Sequence, residues 1–439
     1  MFRTALISLF LTSTALATTR TVDDVNQDCF QAQPVTTKLT GTLLLNAVNN
    51  DQIITGMLDG SSNQMIVWAN EEIATRVTQF NESYGVLINN NGVAAGLGSN
   101  GISQDDRLII ANAFDEISTI ATITGSAGWS SLTSMNEQGS VVGNYSAGSG
   151  SSNWQAFLWT ENSGIQFIEP TAETTYVYDI DEQNQVAGQI LIDGSYHAML
   201  WDNGLLTDLA TLLNLEGHST ARYFNAQGQV LISEFANGVA TYLWYDPATS
   251  SIVEIYEFPV GSYTLRAIAS EDGRVAFSWS SATLGPQLAR WSKEDGFEQA
   301  TLPKNILVIS AIAISLDGTV ACSALTLPVY DSIAMLWSEG TSPDSLHGQI
   351  PDSPITSGVV AMNENKELLI KGDAKHWILT EACIADLDNN GVRDVADILI
   401  LLGVWGQTDQ DSCGTDIDGN AIINVQDLLI LIDAWGACP

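Results

Sequence analysis

The hydrophobic pattern of the chain is a repeat. An apolar residue precedes Asn, Asp or Ser, two polar residues and often Gly follow, and an apolar run resumes. The unit reads Val48-Asn49-Asn50-Asp51, Ile88-Asn89-Asn90-Asn91-Gly92, Met135-Asn136-Glu137-Gln138-Gly139 and Ile180-Asp181-Glu182-Gln183-Asn184. It continues as Phe224-Asn225-Ala226-Gln227-Gly228, Ala269-Ser270-Glu271-Asp272-Gly273, Ile314-Ser315-Leu316-Asp317-Gly318 and Met362-Asn363-Glu364-Asn365-Lys366. Successive marks stand 40, 47, 45, 44, 45, 45 and 48 residues apart. Asn, Asp and Ser favour the first place of a tight turn because their side chains bond the backbone just ahead, and Gly at the fourth accepts a positive φ. Flanking segments such as Val141-Val142-Gly143 then read as paired strands.

A second mark follows each turn, a strand ending in Trp: Trp68, Trp159, Trp201, Trp244, Trp291, Trp337 and Trp377. The second unit lacks it and carries Arg107-Leu108-Ile109-Ile110 instead. A further β-like run, such as Ile165-Gln166-Phe167-Ile168, follows most of these. Each unit thus supplies about four short strands in about 45 residues, the pitch of a propeller blade. Eight marks predict an all-β propeller of eight blades, with seven as the alternative. The spare strand near 34–39 is expected to complete the last blade and remove an open sheet edge.

These units resemble the extracellular HAF repeat family, whose pattern is an I-N-x-x-G-x-V-x-G turn followed by H-A-F-L-W. Gln155-Ala156-Phe157-Leu158-Trp159 and His197-Ala198-Met199-Leu200-Trp201 match best. The resemblance spans roughly 40–380 and is sharpest in the first four units. Later, Ile232, Phe277, Cys322 and Ile370 stand where Gly56, Gly96, Gly143 and Gly188 stood. The resemblance implies a propeller and an exported setting; it implies no reaction.

From residue 381 the pattern changes. The last 59 residues hold eleven acids and one base, Arg393. Two similar segments begin at Asp386 and Asp416, and each leads into an apolar run ending in Trp-Gly. Ca2+ takes six to eight hard oxygens, and loop places one, three, five, seven, nine and twelve supply them. The predicted ligands are Asp386, Asp388, Asn390, the Val392 carbonyl, Asp394 and Asp397 in loop one. In loop two they are Asp416, Asp418, Asn420, the Ile422 carbonyl, Asn424 and Asp427. A solvated acidic linker does not produce two full registers that each open an apolar helix. Ala421 replaces Gly at the sixth place, where the turn is sharp, so the second ion is expected to bind more weakly.

The paired loop-plus-helix layout resembles a type I dockerin, and its helices are similar to the dockerin-like tails of exported planctomycete proteins. That resemblance implies two Ca2+ ions and attachment to a cohesin-like or other cell-surface protein. Val395-Ala396 and Val425-Gln426 stand where many dockerins carry a Ser/Thr pair, so cohesin recognition of the usual kind does not carry over.

Composition sets the compartment and partners. The basic start Met1-Phe2-Arg3, the apolar run 5–11 and Ala15-Leu16-Ala17 predict a secretory leader over 1–17, followed by the propeller over 18–380 and the calcium-binding domain over 381–439. No stretch reads as a membrane span. With 15 Lys and Arg against 51 Asp and Glu, the net charge is −36, which excludes a nucleic-acid partner because no basic surface displaces counterions from phosphates. Five cysteines permit disulfides in an exported chain. Because such two-loop modules often bring their ends together, Cys383–Cys438 is the favoured pair, and Cys322 reads as core.

Four His, no HExxH, no G-x-S-x-G and no phosphate loop leave no catalytic signature. The repeat Trp residues read as core, while Trp129, Trp154 and Trp279 fall outside that register and are candidates for stacking on sugar rings. The leading expectation is a secreted or cell-surface binding or scaffold protein, with polysaccharide as a candidate ligand. The alternatives are an extracellular carbohydrate-active enzyme, hydrolase or lyase, and a purely structural cell-surface protein.

Overall fold

The structure, a computed structural model, describes residues 30–35, 42–59, 62–69, 72–100, 106–112, 117–123, 130–146, 153–169, 171–328, 330–338, 340–346, 358–372, 375–381, 385–388, 390–408, 414–418 and 420–437. The expected leader, Trp129 and the expected Cys383–Cys438 pair lie outside these residues. The chain divides into two compact units, 32–380 and 381–439 together with 1–31.

The larger unit is an eight-bladed β-propeller of eight four-stranded antiparallel sheets. Blades 1 to 8 occupy 42–76, 82–122, 130–168, 175–208, 218–257, 262–299, 306–345 and 358–381. Strands within a blade run A to D in chain order, except in blade 8. There the outer strand is Phe30–Val35, paired with His376–Glu381. The closing strand is therefore the expected one, placed about four residues earlier than its apolar pattern suggested. A five-residue helix, α1 (Leu209–Leu213), follows blade 4 and is capped by Asp208. Its period is too short to register in the sequence. Among the described residues no helix is long and apolar enough to cross a membrane.

All eight turns between strands A and B are built alike. The fourth residue donates its N–H to the first carbonyl, as Gly139 does to Asn136 (3.0 Å). The first side chain accepts from the fifth N–H: Ile53 to Asn49 Oδ1 (2.8 Å), Gln185 to Asp181 Oδ1 (2.7 Å), Thr319 to Ser315 Oγ (3.1 Å). Acceptance is the shared requirement, which is why Asn, Asp and Ser interchange there. The fourth place has positive φ throughout, including Gln52, Asn184 and Lys366 where Gly is absent.

Asn adds what Asp and Ser cannot, an N–H2 that reaches the next blade. Asn363 donates to Asn49 O (2.8 Å), Asn49 to Asn89 O (2.9 Å), Asn89 to Asn136 O (3.1 Å) and Asn136 to Asp181 O (2.9 Å). This relay joins blades 8, 1, 2, 3 and 4, and so closes the ring. The remaining joints use other donors. Phe224 N reaches Asp179 (2.7 Å), Trp244 Nε1 reaches Gly273 O (3.0 Å), Arg290 Nη1 reaches Gly318 O (2.9 Å) and Val359 N reaches Ser323 Oγ (2.9 Å).

The repeat Trp residues are all buried. In blades 1, 3, 4, 6 and 7 the Trp sits opposite the first core residue of strand B, as Trp159 opposes Val141. Tyr245 takes that place in blade 5, Leu379 in blade 8 and Asn112 in blade 2. Trp279 is core as well, at 2% exposure, so it does not serve as a sugar-stacking ring. Cys322 is a fully buried core thiol whose ionisation burial pushes up to about 12.

The loss of Gly in blades 5 to 7 is compensated across the strands. Gly56, Gly143 and Gly188 pair with Leu45, Leu132 and Val177, and strand A lies close over them. A Cβ on Gly143 would stand 2.4 Å from Ser131 O. In blades 5, 6 and 7 the large Ile232, Phe277 and Cys322 oppose Ala221, Ala267 and Ala311. Close-packed interiors require such matching of volumes. Gly143→Ala is therefore expected to cost about 1–3 kcal/mol by overpacking, read as a lower urea midpoint of the full chain; an unchanged midpoint contradicts the close approach.

Candidate metal centre

The C-terminal unit is two copies of one device. Helix α2 (Val395–Gly403) follows loop 386–397, and α3 (Val425–Asp433) follows loop 416–427. Each helix starts with a capping box, Asp394 with Asp397 and Asn424 with Asp427, which satisfies N–H groups that a helix start leaves orphaned. Ala385, Leu401, Ile417, Ile423 and Leu431 form the small core. Val392–Arg393 pairs with Gly436–Ala437 after α3. In the same manner, Gly406 and Gln407 after α2 bond Ile423 (2.9 and 3.1 Å).

Asp386, Asp388 and Asp397 bring carboxylate oxygens within 4.8 Å of one another, and so do Asp416, Asp418 and Asp427. Asp397 and Asp427 are fully buried, and Asp386 and Asp416 nearly so. Backbone donors hold them there. Asp397 accepts from Leu387 N (2.6 Å) and Asp394 N (2.7 Å), and Asp386 from Asn390 N (3.1 Å) and Gly391 N (2.8 Å). In loop two Asp427 accepts from Asp418 N (3.1 Å) and Asn424 N (2.7 Å), and Asp416 from Ala421 N (2.7 Å).

These bonds account for the loop shape but not for three like charges in one place. Asp416 Oδ1 is buried with no hydrogen-bond partner. Burial raises the Asp416 carboxyl above its ordinary value; the Ala421 N–H opposes this, and Asp427 adds to it. An orphaned anionic oxygen among hard oxygen donors fits a divalent cation of the Ca2+ type.

Four other predicted ligand side chains shape the loops and helix starts. Asp394 and Asn424 cap α2 and α3, accepting from Ala396 N (2.7 Å) and Gln426 N (2.9 Å). Asn390 and Asn420 accept from Val392 N (2.8 Å) and Ile422 N (2.9 Å), and Asn424 donates to the Ile422 carbonyl (2.7 Å).

Outside this unit, Asp179 and Glu271 are strongly perturbed carboxylates, and Asp179 serves a blade joint. Burial pushes Asp179 up to about 6 against bonds from Ser134 Oγ and Phe224 N. Burial and its neighbour Glu364 push Glu271 up to about 7. Neither lines the cavity of about 410 Å³ between blades 6 and 7, where Arg290 pairs with Glu298 (2.7 Å) and Arg274 with Asp295 (3.7 Å). His197 bonds Asp208 (3.0 Å), and buried His376 is held down to about 4 by burial and by Lys371. Both occupy structural places, as their position beside the repeat Trp suggested.

No protein-family model matches the chain, and no curated protein matches it. Among solved structures it is similar to a prolyl endopeptidase at 9% identity, over 76% of this chain and 54% of that one, with a TM-score of 0.50. The chain thus spans about half the length of that peptidase. It is also similar to the propeller domain of the Trilobed protease from Pyrococcus furiosus (12% identity, 60% and 82% of the chains, TM-score 0.41). Virginiamycin B lyase from Staphylococcus aureus is a third (10%, 81% and 99%, TM-score 0.43). At 9% identity the likeness to the endopeptidase is one of fold alone.

The two loops differ at the sixth place. Gly391 has φ +83° and Ala421 has φ +67°, a left-handed conformation that costs a residue with a Cβ roughly 1–2 kcal/mol. In a chain carrying Asp386→Ala, which isolates loop two, Ala421→Gly is expected to tighten Ca2+ binding about fivefold. Calorimetry showing equal or weaker affinity contradicts the strain.

Proposed function

We propose that this is an extracellular or cell-surface binding protein: the propeller is the binding body, and the C-terminal unit is a two-ion Ca2+ module that attaches it to a protein partner. The convergence of three carboxylates in each loop, with Asp416 Oδ1 left unpartnered, carries this reading. Asp386, Asp388, Asp397, Asp416, Asp418 and Asp427 hold the ions, and Asn390, Asn420 and the carbonyls of Val392 and Ile422 complete the oxygen sets. Bound Ca2+ neutralises carboxylates that otherwise repel one another, so it stabilises the fold of the unit.

The attachment surface is apolar and duplicated. Val395, Leu399 and Leu402 are exposed along α2, and Val425, Leu429 and Ile432 along α3, with Trp405 and Trp435 just beyond. Exposed apolar stripes on so small a unit favour docking on a protein. A cohesin-like partner suits this surface only through apolar contact, since the Ser/Thr pair is absent. A dockerin-like tail and the acidic surface favour an exported setting.

Calorimetry of the full chain is expected to show two Ca2+ sites. Asp386→Ala and Asp416→Ala should each abolish one and leave the other, and a flat trace with the unaltered chain contradicts the assignment.

A further inference from the structure

The two ends of the propeller differ in chemistry. The end carrying the A–B turns holds Glu137, Glu182, Glu271 and Glu364 at the second turn place. The opposite end carries rings. Trp154, Tyr176, Tyr196 and His218 are the first or second residues of strands in blades 3, 4, 4 and 5. Their centroids stand 6.1, 6.3 and 6.0 Å apart in sequence, and Trp154 and Tyr176 are stacked at 30°. The first three are half-buried and His218 is exposed.

The blade architecture does not require this row. Five places before the repeat Trp an aromatic stands in blades 3 and 4, whereas blades 1, 6 and 7 carry Asn63, Pro286 and Ser332. Five places before the turn residue, blades 2 and 4 have Tyr84 and Tyr176 but blades 3, 5 and 7 have Ser131, Thr220 and Ser310. Positions needed for packing, such as the turn acceptor, recur in every blade. Trp154, Tyr176, Tyr196 and His218 gather in blades 3, 4 and 5 and meet in series, so they form one local surface.

We infer that this aromatic row is the ligand face of the propeller and that its ligand is an uncharged polysaccharide. The inference rests on reading the propeller as the binding body, and it names the face and the ligand class. Trp, Tyr and His present an apolar ring with a polar head, which suits a ligand that offers C–H faces and hydroxyls together. A row of rings crossing three blades suits a polymer of rings. Carboxylates flank the row: Asp193 in the turn before Tyr196, Asp208 bonded to His197, and Glu234 accepting from the N–H groups of Glu216 (2.6 Å) and Gly217 (3.3 Å) ahead of His218, while the nearby Arg222 guanidinium lies over the Tyr178 ring (5.6 Å) and donates to Ser233 Oγ (3.0 Å). With the net charge of −36 these carboxylates repel polyanions.

The test is affinity electrophoresis of the full chain through gels containing xylan, mannan or mixed-linkage β-glucan, with polygalacturonate as the anionic polymer and polylysine as a competitor. At least one neutral polymer should retard the chain. Trp154→Ala and Tyr196→Ala should each weaken this about tenfold, whereas Tyr196→Phe, which keeps the ring, retains most of it. Unchanged melting midpoints establish that the variants are folded. Retardation by no neutral polymer, retardation by polygalacturonate alone, full displacement by polylysine, or retardation indifferent to both Ala variants each overturns the inference. Retardation should survive chelation of Ca2+; its loss would move the ligand to the C-terminal unit and overturn the inference while leaving the calcium assignment standing.

Discussion

Backbone N–H groups in tight turns must find acceptors, and this chain supplies them from side-chain oxygens a few residues away. Both units depend on that one device. In the blades the acceptor is Asn, Asp or Ser bonding the fifth N–H, and the turn it fixes sets the register of strands A and B. In the C-terminal loops Asp386 and Asp416 accept from the sixth residue in the same manner. The difference is charge. A blade turn spends one neutral or isolated acceptor, whereas each loop folds three carboxylates onto a shared centre. The turn chemistry that shapes the loops thereby creates a repulsion that a bound cation would relieve.

The propeller carries two solutions to the same packing problem. Blades 1 to 3 use an Asn relay and a glycine under strand A, and blade 8 closes the relay through Asn363. Blades 5 to 7 lose both features and replace them with Ala opposite a large residue and with donors from Trp244 and Arg290. The repeat therefore fades in sequence where it does not fade in structure. In blades 5 to 7 a small Ala on strand A makes room for the side chain that replaces Gly on strand B.

Much of the fold was legible because its signals are local. Blade number, turn positions and buried Trp follow from spacing and period. The segment 30–35 was misplaced because a closing strand is defined by a partner more than 300 residues away. Trp279 was misread because its neighbours in the core, Phe258 and Phe277, come from other strands. The six converging carboxylates were legible from loop spacing. The capping roles of Asp394 and Asn424 appear only once the helix starts are fixed. The aromatic row was legible in one member, Trp154, since its companions lie on separate strands.

Acidity then divides the labour. Glu137, Glu182, Glu271 and Glu364 stand at the turn end of the propeller and six converging carboxylates in the two loops, while the row of rings stands at the other end of the propeller. The central claim, that the C-terminal unit is ordered by divalent cations, is tested most directly by hydrogen exchange of the full chain with Ca2+ and after chelation. The account predicts that the amides of α2 and α3, including buried Leu401 and Leu431, exchange far faster after chelation while blade amides such as Val141 and Val186 stay protected. Equal protection of α2 and α3 in both conditions would contradict it.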